Sequence, residues 1–403
     1  MLRWLYGLLI FTVLTVLIEL LHLPLPPLLL FLIAALGIVP LAALIGQAVE
    51  RIAEHTGERV GGLLFATFGN ATELIIGIFA LRDGLIEVVR ASIIGSILGN
   101  ALLVLGVATF IGSVRSGRLR FETRPASQYA SLLALCVGGL MLPTFAELLA
   151  SHNGQPHAQI YQQGLLLSDF IAVLLLLGYL ASILFSVFRV GDKPGDTEGD
   201  EFDPLLGERS TLAITRLLAY RRHLTTTTRP NTSGVLHHID NTLAAILKHE
   251  GNQPVSGQQG AATPERKPPL IPALLLLAGA TIGVGWLSDI LVGTITPLTE
   301  ALHWNAAFVG LVFIPLIGGL PEYFNTIRMS LEKRMGMVLA ASAGSSIQIA
   351  LLMAPILVLV SLAMPMRLDL VFSIVELAVL GLATFLFSEI TRDGELVWLE
   401  GLL

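Results

Sequence analysis

Two acidic residues interrupt long apolar stretches of this chain: Glu73 within FATFGNATELIIGIFAL and Glu322 within FIPLIGGLPEYFNTI. A carboxylate placed at that depth in a membrane is costly unless it is paired, protonated or bound to a cation. Each acid is followed by a second Gly-Ser segment, SIIGSILGNALLVLG in one case and ASAGSSIQIALLMAP in the other. The intervals match. Glu73 lies four residues after Gly69 and 22 before Gly95; Glu322 lies four after Gly318 and 22 before Gly344; Ser96 corresponds to Ser345, and the two acids are 249 residues apart. One intramembrane glutamate is often a structural hydrogen-bonding residue, but two at repeat-equivalent positions point to a shared site.

The chemistry such a pair supports is that of hard cations and protons. Ca²⁺ takes about six to eight oxygen ligands, and Glu73, Glu322, Asn70, Asn100, Ser96, Ser345 and Gln348 supply oxygens. Gly69 with Gly77, and Gly318, Gly319 and Pro321, are helix breakers. Gly costs a helix about 1 kcal/mol and Pro about 3, so both segments are expected to unwind before their glutamates. The carbonyls freed near Gly69 and Gly318 would then line the site. No sulfur or imidazole approaches it, which argues against Zn²⁺ or Cu⁺. Competition between Ca²⁺ and protons for the same carboxylates amounts to exchange.

The elements that must hold these residues follow from composition. The chain has 403 residues, 54% hydrophobic and 13% charged, with a formal net charge of -6, against about 25% charged in a soluble domain. Apolar runs long enough to cross roughly 30 Å of hydrocarbon lie near 4–21, 28–50, 60–81, 86–112, 128–150, 163–188, 270–292, 306–328, 335–363 and 369–389. An isolated segment in lipid satisfies its backbone only as a helix. The expected fold is therefore an all-α polytopic membrane protein. It has an N-terminal helix (1–22), a five-helix repeat (28–188), a cytoplasmic acidic linker (189–269) and a second, inverted repeat (270–403). The last helix of that repeat begins at Leu396 and reads as truncated.

The Lys/Arg bias of Arg115, Arg118, Arg120 and Arg124 places their loop, and by counting the N-terminus, in the cytoplasm. Arg82 and Arg90 then fall outside against the rule, offset in part by Asp83 and Glu87. Because the span bearing Glu73 enters from the cytoplasm and that bearing Glu322 from outside, the repeats are inverted, the plan of many secondary transporters. The acidic cluster from Asp192 to Glu208 reads as a solvated loop with possible cation regulation, and Asn231-Thr232-Ser233 is discarded as a glycosylation site because its loop is cytoplasmic. Glu376, interior to the last long run, is a candidate for a proton path.

On these residues the chain resembles the cation/proton exchanger family, the CAX-type Ca²⁺/H⁺ antiporters of the calcium/cation antiporter superfamily. The likeness runs from Pro40 to Gly106 and through GSSIQIALLMAP, and DGELVWLEGLL resembles the start of the family's last helix. The resemblance implies that Glu73 and Glu322 bind Ca²⁺ and protons alternately, with Asn70, Ser96, Ser345 and Gln348 completing or gating the site. It also implies that the proton gradient of a prokaryotic-type plasma membrane drives Ca²⁺ out. One departure stands out. Where the family usually has G-N-A-A-E-H, this chain has Gly318-Gly319-Leu320-Pro321-Glu322-Tyr323, and Gly99 replaces a usual Ser.

The other functions the sequence leaves open are antiport of Na⁺, K⁺ or Mn²⁺ and, further off, a passive cation channel. An intramembrane hydrolase has no support: no histidine lies deep in a span and no H-E-x-x-H occurs, so no enzymatic activity is expected. No cofactor is expected beyond the transported Ca²⁺ and H⁺, and the surroundings are the lipid bilayer, with no nucleic-acid partner. The single cysteine, Cys136, lies in an apolar run and reads as a packed small hydrophobe.

Overall fold

A chain this apolar has to close its backbone hydrogen bonds within each segment, and it does so with helices. The computed structural model describes residues 6–56, 64, 67–153, 156–188 and 270–402. In chain order the helices are α1 (Leu9–Leu20), α2 (Pro27–Thr56), α3 (Ala71–Arg82), α4 (Ile86–Leu98), α5 (Leu105–Ser116), α6 (Thr123–His152) and α7 (His157–Phe188). After the linker come α8 (Leu270–Gly293), α9 (Ile295–Leu302), α10 (Ile314–Leu331), α11 (Met335–Gln348), α12 (Ala354–Ser361) and α13 (Ile374–Ile390). Two short strands, β1 (Leu119–Arg120) and β2 (Glu395–Leu396), pair antiparallel. The described residues all belong to one compact unit. The expectations for Arg3, Arg59, the start of the third span, and the whole linker with its acidic cluster and Asn231 lie outside the described residues.

Among the described residues, seven helical stretches are long and apolar enough to cross a membrane unaided. The other three expected spans are represented by α1, α3 and α13, of 12, 12 and 17 residues. Helices α6 and α7 turn large apolar side chains outward, among them Leu135, Phe145, Leu166 and Phe170, while Ser96, Asn100, Ser345 and Ser346 are buried. Apolar outside and polar inside is the arrangement lipid selects.

The repeat is visible in the secondary structure itself. A π-helical turn, Gly99–Val104, follows α4, and another, Ile349–Met353, follows α11 at the equivalent place. A third, Val309–Phe313, leads into α10. Such widened turns cluster at functional sites. The last of them lies directly on α4: a Cβ at Gly95 would collide with the backbone of Leu311, and one at Gly310 with that of Val88. Only glycine permits so close an approach.

The two glutamate-bearing helices run in opposite directions. At the end of α3, Arg82 pairs with Asp289 and Gly84 abuts Met366, while Arg90 at the start of α4 pairs with Asp369. At the end of α10, Ser330 Oγ donates to the Ala108 carbonyl of α5 at 2.6 Å, next to the β1–β2 pair. Since α4, its π turn and α5 form one 31-residue span, these two clusters mark its opposite ends, and the repeats are inverted. The turn after α10 is closed by Glu332, whose carboxyl is held below the usual carboxylate range by its hydrogen bond from Arg328 and by nearby Arg334.

Four local expectations differ from the structure. Gly77 does not break α3: a Cβ there would stand 3.0 Å from a Leu357 methyl, so the glycine admits α12. The partner of Arg90 is Asp369, 279 residues away, and not Glu87. The segment expected to begin a further helix at Leu396 is strand β2 followed by a turn, with Leu396 fully buried opposite Leu119. Glu376 is in the first turn of α13, not mid-span, where it forms a capping box with Ser373. It satisfies two end donors of the helix, which is a structural role.

Candidate functional site

The first half breaks where expected. Helical residues 67–68 give way to a turn at Gly69 and Asn70, and α3 starts at Ala71, so Glu73 stands in the first helical turn. The second half does not break. Ile314–Leu331 is one helix through Gly318, Gly319 and Pro321, so Gly318 contributes no unwound carbonyl. Its role is steric. A Cβ at Gly318 would fall 2.5 Å from Glu73 Cδ and 2.6 Å from its Oε1, which means that the Glu73 carboxyl rests on the bare Cα face of α10, one turn before Glu322. Glu73 is 3% exposed, whereas Glu322 is half-buried.

Ser345 joins the two halves. Its Oγ is 3.0 Å from Glu322 Oε1 and 2.8 Å from Asn70 Oδ1, and it accepts from Asn100 Nδ2 at 3.0 Å. Asn70 Nδ2 donates to Gln348 Oε1 at 3.1 Å. Asn100, in the π turn near the middle of its span, also receives Ser342 Oγ on its carbonyl at 2.5 Å. Two of the buried polar atoms that find no hydrogen-bond donor or acceptor among the described residues lie here, Glu73 Oε2 and Ser96 Oγ. Buried polar atoms are rarely left so without a functional reason.

Of the residues singled out from sequence, Glu73, Glu322, Asn70, Asn100, Ser345, Gln348 and Gly318 come together, Gly69 forms the turn beside them, and Ser96 is buried but joins no hydrogen bond. Sequence reasoning missed Ser342 and Ser346, which tie α11 to the Asn100 and Ile97 carbonyls. The Ser-rich text of α11 was their only signal. It also missed Tyr323 as a packed element of the site. Among the described residues no group of three or more His, Cys, Asp or Glu gathers, so a cation here would depend on two carboxylates and neutral oxygens.

A helical molecule with an apolar exterior, built from two inverted repeats around a central acid pair, is an integral membrane protein of the secondary-transporter class. Residues 26–188 and 272–403 match the family model described as sodium/calcium exchanger protein, and the chain belongs to that family. A Ca²⁺/H⁺ antiporter of Synechocystis sp. is 34% identical over 373 residues, 93% of this chain and 87% of the relative. The Ca²⁺/H⁺ antiporter ChaA of Bacillus subtilis is 30% identical over 376 residues, 93% and 88% of the two chains. The solved structure of native YfkE is 27% identical and superposes with a TM-score of 0.68 over 99% of this chain and 95% of that one.

Proposed function

We propose that this protein exchanges Ca²⁺ for H⁺ across a membrane by alternating access at Glu73 and Glu322. The observation that carries the reading is the hydrogen-bonding of Ser345 between an acid and an amide. With Glu322 ionised, the Ser345 hydroxyl donates to Oε1. With Glu322 protonated, the carboxyl donates to Ser345 Oγ, which still accepts from Asn100 and turns its own proton to Asn70 Oδ1. A hydroxyl has one donor and two acceptor sites, so Glu322 keeps its hydrogen bond to Ser345 in both protonation states without moving a helix. The unpartnered Glu73 Oε2 is the complementary feature, a buried oxygen that a proton or a cation would complete.

Two ionised glutamates carry a charge that one divalent cation, or two protons, neutralises. Releasing the cation and taking up protons on the same side, before the site turns to face the other, therefore keeps the buried site near neutral whenever it crosses, which a low-dielectric interior demands. The relatives that bear the name Ca²⁺/H⁺ antiporter support Ca²⁺ as the ion. Exchange of Mn²⁺, Na⁺ or K⁺ is the second reading, favoured by Gly319, which brings no side-chain oxygen to the Glu322 half. The N-terminus is cytoplasmic in this scheme, and a proton gradient directed inward across a prokaryotic-type plasma membrane expels Ca²⁺.

Inside-out vesicles with an imposed pH gradient test this. Uptake of radiolabelled Ca²⁺ is expected, collapsing when the gradient is dissipated and abolished by Glu73→Gln or Glu322→Gln. Uptake surviving both substitutions would overturn the site, and uptake of Na⁺, K⁺ or Mn²⁺ in place of Ca²⁺ would overturn the ion.

A further inference from the structure

The internal repeat provides its own comparison, because each position around one glutamate has a counterpart 249 residues away. On the Glu73 side, Asn70 meets Ser345 at 2.8 Å and Gln348 at 3.1 Å. The counterparts of Asn70, Ser345 and Gln348 are Gly319, Ser96 and Gly99. The counterpart network cannot form, since two of its three side chains are absent, and the third, Ser96 Oγ, is buried without a partner among the described residues.

The space those side chains would fill is occupied. A Cβ at Gly319 would lie 3.6 Å from Tyr323 Cε2 and 3.8 Å from Asn100 Oδ1; a Cβ at Gly99 would lie 3.9 Å from Tyr323 Oη. The Tyr323 ring therefore spans from Gly319, one turn earlier on its own helix, to the facing π turn. With Gly99 and Pro315 it also walls a cavity of about 370 Å³. The counterpart of Tyr323 is Leu74, so the phenol belongs to one half only.

We propose that Tyr323 is a specificity-determining residue of the exchange site. Its ring takes the place of the neutral oxygen ligands on the Glu322 half. A bound cation is then held by the two carboxylates and the amide and hydroxyl oxygens of the Glu73 half. Ca²⁺ takes about six to eight oxygens, whereas an octahedral set of about six suits Mn²⁺ as well. Removing neutral oxygens therefore weakens the preference for Ca²⁺ over a smaller divalent ion. The inference rests on the exchange reading for the transport cycle, but what it concerns is the ranking of ions.

Both glycines accept a Cβ at ordinary contact distance, and the Tyr323 ring must turn aside for the rest of a longer side chain. In vesicles bearing the full chain, Gly319→Asn is expected to raise the Ca²⁺ over Mn²⁺ preference, read as the ratio of KM values, about tenfold, the scale of one added charge-assisted contact. Gly99→Ser should shift it in the same direction by less, and Gly319→Asn combined with Tyr323→Leu, which copies the Glu73 half, by more. An unchanged or lowered ratio in variants that elute and melt like the wild type would overturn the proposal. Should Gly319→Asn fail to fold, Gly99→Ser decides the question alone. If the wild type takes up neither ion under a pH gradient, the exchange reading fails. Direct binding of radiolabelled Ca²⁺ and Mn²⁺ to the same purified variants then judges Tyr323 separately, a raised ratio supporting its role and an unchanged one refuting it.

Discussion

The Glu73 carboxyl rests on Gly318, one turn before Glu322 on the facing helix, where a Cβ would fall 2.5 Å from its Cδ. The approach of the two acids thus depends on a missing side chain. Gly318→Ala puts a methyl where the Glu73 carboxyl now rests, so the carboxyl must turn away from α10 and from Glu322. Ala also favours helix by about 1 kcal/mol over Gly, so the variant should fold. The expected outcome is loss of pH-driven Ca²⁺ uptake as complete as in Glu73→Gln, with an unaltered elution profile in detergent. Near-normal uptake would show that Glu73 is free to work elsewhere.

Ser345 is expected to matter through its proton. Ser345→Ala removes the partner of Glu322, Asn70 and Asn100 together, and a lost hydrogen bond to a charged group is worth about 1.5–3 kcal/mol. The KM for Ca²⁺ should rise about tenfold or more, and the pH dependence of uptake should change with it, because ionised Glu322 loses its donor. Ser345→Thr keeps the hydroxyl and is expected to retain most activity. Initial rates across a pH series distinguish the two, and a Thr variant as impaired as the Ala variant would assign Ser345 to packing.

Much of this was legible in the sequence, since intervals on either side of Glu73 and Glu322 are set by helical geometry that both halves share. Ser345 followed from it as the counterpart of Ser96, whereas Asn70 and Asn100 were marked only as amides beside the acid-bearing segments. What was not legible has physical causes. Gly318-Gly319-Leu320-Pro321 reads as a helix breaker by propensity, yet packing inside the unit overrides propensity, and Pro321 costs the helix only its bond to Ile317. The function of Gly318 depends on what faces it, which a single sequence does not state. The capping role of Glu376 was hidden by misplacing the helix start by a few residues, the usual limit on boundaries. Pairings such as Arg90 with Asp369 link residues whose separation exceeds any local pattern.

That ion pair carries its own prediction. Arg90 and Asp369 meet at 2.5 Å with side chains 26% and 10% exposed, tying α4 to the connection before α13. Removing one partner of a largely buried pair typically costs about 3–5 kcal/mol, because the other charge is left unpaired. Asp369→Asn should lower the Tm in detergent by several degrees. Arg90→Leu combined with Asp369→Leu should recover most of the loss. If the double variant is no better than the single one, the cost lies in the local backbone, where Asp369 Oδ1 also accepts from Val371 at 3.1 Å.

Inversion of the repeats makes a prediction that needs no transport. Asp83 follows α3 and Glu332 follows α10, both in turns with side chains 31% and 42% exposed. Inverted repeats place these helix ends on opposite faces of the membrane, whereas parallel repeats would place them on one. Cys136 is buried and leaves a quiet background for thiol labelling. In intact cells a membrane-impermeant maleimide is expected to modify Asp83→Cys, and to modify Glu332→Cys only after permeabilisation. Labelling of both positions from the same side would refute the inversion. Labelling of Glu332→Cys alone in intact cells would preserve it but reverse the orientation, while the proton gradient would still set the direction in which Ca²⁺ moves.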